Sequence, residues 1–67
     1  MVLEETNNAE IIKNAIDGLN KIQEYMMLAK GENATQTYNK LKDEYLSLKA
    51  LLNVLGVNLT DIDKIKE

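Results

Sequence analysis

The stretch TYNKLKDEYLSLKALLNVLG, residues 37–56, decides the fold. Its apolar residues fall at Tyr38, Leu41, Tyr45, Leu48, Leu52 and Leu55, in steps that alternate three and four. That alternation draws a heptad seam down one side of a helix. Upstream, AEIIKNAIDGLNKIQEYMMLAK, residues 9–30, repeats the pattern at Ile12, Ala15, Leu19, Ile22, Met26 and Ala29. Between the two seams lies the short polar turn Lys30-Gly31-Glu32-Asn33, so the second helix should return antiparallel to the first. Residues facing each other in such a hairpin have numbers of constant sum. Here Ile12 meets Leu55, Leu19 meets Leu48 and Ala29 meets Tyr38, every pair summing to 67. Two independent periodicities agree in register. The expected crossing is the shallow angle of about 20° seen in coiled coils.

The seams leave apolar residues over. Ala9, Ile16 and Met27 lie on one flank of the first helix, and Ile11, Gly18 and Tyr25 on the other. The arc reaches roughly 200°, against about 100° for a helix with one covered face. Leu28 lies outside even this arc, at the turn end of the polar face. In the second helix Leu46, Ala50 and Val54 form a stripe on another face, with Leu51 between stripe and seam. A lone hairpin would leave these groups wet, so a covering surface is expected over Ile16, Tyr25, Met27, Leu28, Leu46, Ala50, Leu51 and Val54.

A chain of 67 residues makes a single domain. At that size only about 60% of the unfolded surface is buried, and stability needs help. With neither Cys nor His in the sequence, disulfides and the common zinc sites are excluded as helpers. Oligomerisation remains. The expectation is an all-α fold whose hairpin pairs into a homodimer, a four-helix bundle being its simplest form.

The element boundaries expected are 8–30, 34–55 and 61–66. Residues 1–6 form a lead-in, and Asn7 with Glu10 spells a capping box. Gly31 and Gly56 are placed to end the two long helices in the left-handed conformation. Asn33 or Thr35 would cap the second helix. Thr60 would cap a short third helix, with Asp61 and Asp63 in its first turn and Lys64 and Lys66 in its last. Too short to form alone, that helix needs Leu59, Ile62 and Ile65 to dock. The Leu46/Ala50/Val54 stripe is the nearest target, on this hairpin or on a partner's. Gly18 reads either as a tolerated helix-interior glycine or as a point of close helix approach.

Chemistry is sparse. Nucleophilic triads and haem need His or Cys. The carboxylates fall on solvated faces, unlike a sheltered acid–base pair. Asp61-x-Asp63 opens like a calcium loop but lacks the glycine and terminal Glu of one. There is no Gly-rich phosphate loop. Asn33-Ala-Thr35 and Asn58-Leu-Thr60 are sequons by spelling alone. All eight basic residues are Lys, and net charge is −3. Lys40, Lys42 and Lys49 are interrupted by Asp43 and Glu44, and no Arg is present for guanine, so nucleic acid is not an expected partner. The polar faces are too acidic for membrane binding, and no apolar run reaches the ~18 residues of a span. The N-terminus has no signal-peptide character, which points to the cytoplasm. No cofactor or metal is expected.

Met26-Met27-Leu28 beside Tyr25 is the most suggestive cluster, since Met-rich surfaces adapt to partners. It serves either a bundle end or dimer interface, or a heterologous contact. Tyr38 and Tyr45 belong to the seam, their hydroxyls reaching the rim. The function expected is a small, non-enzymatic protein–protein interaction module. The Asn-, Ile- and Lys-rich composition suits a regulator from a low-GC bacterium, its phages or plasmids. An oligomeric assembly or chaperone-like protein is the alternative, with a DNA-binding regulator behind both.

Overall fold

Two apolar seams packed against each other generate the architecture, described here from a computed structural model that covers the backbone of residues 3–67 and side chains from Ala9 onward. Helix α1 spans Leu3–Gly31 and helix α2 spans Thr35–Val54; among the described residues there is no strand. Each of the twelve seam positions is buried or half-buried, and none is exposed. Ala15, Leu19, Met26, Tyr45 and Leu52 form the innermost cluster, with Ile12, Ile22, Tyr38, Leu41 and Leu48 packed around it. A methyl group built on Gly18 would lie 3.6 Å from Leu48 Cδ1. That is ordinary contact beside the expected Leu19–Leu48 pair, so Gly18 faces α2 without being forced to be glycine.

Four boundaries differ from the sequence reading. First, α1 begins at Leu3, so Asn7 lies inside the helix and cannot be its N-cap. The proposed lead-in is helical from Leu3; its first two residues, and the side-chain half of the capping box at Asn7, lie outside the described residues. Second, α1 ends one residue later than expected, and its left-handed stop lies two residues beyond Gly31. Gly31 is its last residue, and the left-handed position is Asn33, at φ 58°. The Ala34 amide donates to the Ala29 carbonyl (2.8 Å) and the Asn33 amide to the Lys30 carbonyl (3.1 Å). This is the Schellman pattern, and Asn is the residue that best replaces Gly in it. Third, α2 has no side-chain cap. Its N-cap is Ala34, at φ −85° and ψ 76°, with the Thr35 amide donating to the Asn33 carbonyl at 3.0 Å. Those angles are close to an inverse γ-turn, which aims the chain back along α1.

Gly56 behaves as expected. It takes φ 83°, its amide donates to the Asn53 carbonyl, and the Val57 amide donates to the Leu52 carbonyl. Both helices therefore close with the same motif. Val57 then packs on the cluster containing Leu52, the apolar contact that usually accompanies it.

The fourth difference is the C-terminal segment. No helix forms over 61–66; residues 60–62 make one turn, in which the Ile62 and Asp63 amides both donate to the Leu59 carbonyl. Thr60 does not cap it. Instead the Asn58 side chain accepts from the Thr60 amide at 2.9 Å, an Asx-turn. Nor does this tail lie on the Leu46/Ala50/Val54 stripe. Val57, Leu59, Ile62 and Ile65 pack against the hairpin's own core cluster. The molecule measures 47 × 20 × 14 Å, with a radius of gyration of 13.3 Å. A compact chain of this length would have about 11 Å, so the shape is elongated and rich in surface.

Candidate functional site

Gln23 is the buried polar residue among the described side chains, at 2% exposure. It stands on α1 where the apolar arc turns from the seam toward Ile16. A buried amide must find partners, and Gln23 finds them in the tail. Its Nε2 donates to the Ile62 carbonyl at 2.9 Å. Its Oε1 accepts from the Lys64 amide at 2.6 Å and the Ile65 amide at 2.9 Å. One side chain thus satisfies three main-chain groups that the missing third helix would have paired.

The opposite wall is α2. Tyr45, fully buried, sends its hydroxyl to the groove edge, where it donates to Asp63 Oδ1 at 2.5 Å and accepts from the Glu67 amide at 3.0 Å. One turn on, Lys49 Nζ pairs with Asp63 Oδ2 at 2.8 Å and donates to the Glu67 main-chain oxygen at 2.9 Å. It also lies 4.7 Å above the Tyr45 ring centroid, within cation–π range. Lys42 pairs with Glu67 Oε1, and Tyr38 reaches Glu67 Oε2 at 3.4 Å. Asp63 also accepts from the Lys66 amide at 2.8 Å, and Lys66 stands at φ 60°. Among the described residues no buried side-chain N or O atom lacks a partner.

This network shifts the groups within it. Burial works to raise the Asp63 pKa, but hydrogen bonds from Lys49, Tyr45 and the Lys66 amide outweigh it and hold the carboxyl below its ordinary value. The Asp63 hydrogen bond holds Lys49 above its ordinary value, against the pull of desolvation. Lys42 and Glu67 shift in the matching directions, up and down, each through its hydrogen bond to the other.

Comparisons of the chain with known protein families, with curated proteins and with solved structures find no match. The functional reading rests on the residues themselves.

The surface residues singled out from the sequence fall into separate groups. Ile16 is half-buried and packs on the core, on the flank of α1 that also carries Gln23. Tyr25 (46%) and Leu51 (40%) are exposed, as is Ile11. By helical geometry Ile11, Gly18 and Tyr25, spaced seven apart, share the flank of α1 away from Gln23. Leu51 lies on the matching flank of α2, beside half-buried Leu48. The tail therefore covers one broad face of the hairpin, and these residues line the other. Leu46, Ala50 and Val54 are exposed on the outer side of α2; Val54, at 81%, is the most open apolar residue named. Met27 and Leu28 are exposed on the outside of α1 near the turn, while Met26 is fully buried. Met27 also edges a shallow depression shared with Asn20, Gln23, Glu24 and Lys64. A second depression at the turn is lined by Ala29, Asn33, Tyr38 and Glu67 among others.

Sequence reasoning passed over Gln23, and read Lys42 and Lys49 only as parts of an interrupted basic patch. A signal existed for the first. Gln23 lies inside an otherwise apolar arc beside Leu19 and Met26, and a polar residue there needs a partner from elsewhere in the chain. Among the described residues no group of acidic, His or Cys side chains could hold a metal ion. No helix among them is long and apolar enough to cross a membrane.

Proposed function

We propose that this chain is a small, non-enzymatic protein–protein interaction module that works through a helical face, and that its first partner is a second copy of itself. One observation carries the reading. Among the described residues, seven large apolar side chains are exposed, against six apolar residues that are buried, two of them alanines. Scattered exposed leucines are normal, but an apolar surface that rivals the core in residue number is what an interface requires. The uncovered face of the hairpin, with Ile11, Tyr25 and Leu51 around Gly18 and Leu48, suits a second hairpin laid across it, giving a four-helix bundle. Lack of His and Cys, and the engagement of Asp63 and Glu67 in ion pairs, support a binding role over a catalytic one. A regulator that blocks its target by occupying a helical surface fits this size and acidity.

Light scattering across a dilution series tests the proposal. The wild type should show twice the 7.6 kDa chain mass, and Tyr25→Glu with Leu51→Glu should return it to the monomer without loss of helix content. A wild type that stays monomeric at every concentration would remove the self-pairing. A large, ordered, concentration-independent oligomer would favour an assembly protein instead.

A further inference from the structure

The tail is bound to the hairpin as a ligand is bound to a receptor. It has one turn of its own and no helix or strand. From Ile62 to Glu67 its main chain is held by hairpin side chains: three hydrogen bonds from Gln23, one from the Tyr45 hydroxyl and one from Lys49. Side chains that read a main chain, with apolar pockets alongside, are the usual means of holding a short peptide. The groove also has a sign. Lys42 and Lys49 line its α2 edge, and the tail brings Asp63 and Glu67 to them. Every fully buried apolar side chain among the described residues comes from α1 or α2, and those of the tail are at most half-buried.

We infer that the groove between α1 and α2 is a peptide-binding site, that residues 57–67 are its displaceable resident, and that its external partner is a short acidic segment of another protein with apolar side chains at the tail's spacing. The partner's chemistry is copied from the tail: apolar groups matching Leu59, Ile62 and Ile65, and carboxylates matching Asp63 and Glu67. The tail then acts as a plug. Held in cis at an effective concentration in the millimolar range, it excludes weak competitors and yields to a segment that fits better. This inference rests on the interaction-module reading but uses the opposite face of the hairpin from the self-pairing.

The test uses the full chain with Ile62→Asp and Ile65→Asp, which releases the tail and leaves α1 and α2 untouched. The probe is a labelled synthetic peptide of residues 57–67. The released chain should bind it one to one, at least about ten-fold more tightly than the wild type, whose own tail competes. Added salt should weaken the binding. Gln23→Ala in the released chain should abolish it, and so should Lys at both acidic positions of the peptide, 63 and 67. A released chain that keeps its helix content but ignores the peptide overturns the inference; so does one that loses its helices, because the tail is then a layer of the fold. In the wild type, the Lys64 and Ile65 amides should exchange with solvent faster than the core amides of α2. Equal rates would mean the plug never opens alone, and would overturn the inference too. The two proposals fail separately. Self-pairing through the uncovered face persists in the released chain and is lost with Tyr25→Glu and Leu51→Glu. A dimer that disappears with Ile62→Asp and Ile65→Asp would put a second copy's tail in the groove, in place of another protein.

Discussion

Asn33 and Gly31 show how a single position is decided by geometry two residues away. Glycine in an Lys-Gly-Glu-Asn turn looks like the natural left-handed residue, yet α1 runs through Gly31 and Asn33 adopts the positive φ. Two outcomes follow. Gly31→Ala has open space around its new methyl and should stabilise the fold by about 0.5–1 kcal/mol, through helix propensity alone. Asn33→Ala should cost about 0.5–1 kcal/mol, because both residues carry a Cβ but the short polar Asn side chain tolerates the left-handed conformation better. Urea melts of both variants check the assignment, and the reverse ranking would restore Gly31 as the helix stop. Gln23→Ala should cost about 1–3 kcal/mol, because the Ile62 carbonyl and the Lys64 and Ile65 amides lose their partner together.

Between elements, the hairpin was legible and the tail was not. Heptad spacing is a local property, marked at six positions in each helix, so errors at single positions do not disturb the register. Leu48→Asp puts a charge at the seam's centre and should destabilise by more than about 3 kcal/mol. Leu46→Glu tests the other side. The stripe once expected to receive a third helix is exposed, so this substitution should change stability by less than about 0.5 kcal/mol. The tail escaped prediction because its form is set by non-local partners. The spacing of Leu59, Ile62 and Ile65 suits a helix, but Gln23 and Tyr45 offer its main chain better-placed hydrogen bonds than a marginal helix could make. Its docking should also depend on pH. Asp63 is held below its ordinary pKa, so its contribution is present above the unfolded value near 4 and fades as pH falls through the folded one. Lys49 is held above its own, so its contribution is complete below about 10.4 and fades as pH rises beyond that. Exchange of the Lys64 amide, corrected for its intrinsic pH dependence, should show protection that is flat between these limits and falls outside them.

For the whole molecule, the governing quantity is surface. An elongated body with a thin core leaves the apolar groups of the uncovered face, and those of the outer stripe, in water. The apolar arcs announced that excess. They could not say which portion the chain would cover itself, because the answer depends on where residues 57–67 settle. They settle over Gln23 and Tyr45 and leave the Ile11–Tyr25 side uncovered.

The Gln23 contacts join residues about forty positions apart, whereas the hairpin closes through a short turn. Closing the longer loop costs more chain entropy, so the tail should attach after the folding barrier has been crossed. Substitutions at Ile62, Asp63 or Ile65 should then leave the refolding rate unchanged and speed unfolding, while those at Leu19 or Leu48 slow refolding. Stopped-flow chevrons on one variant of each kind would show whether the tail acts as a late latch on an already formed hairpin.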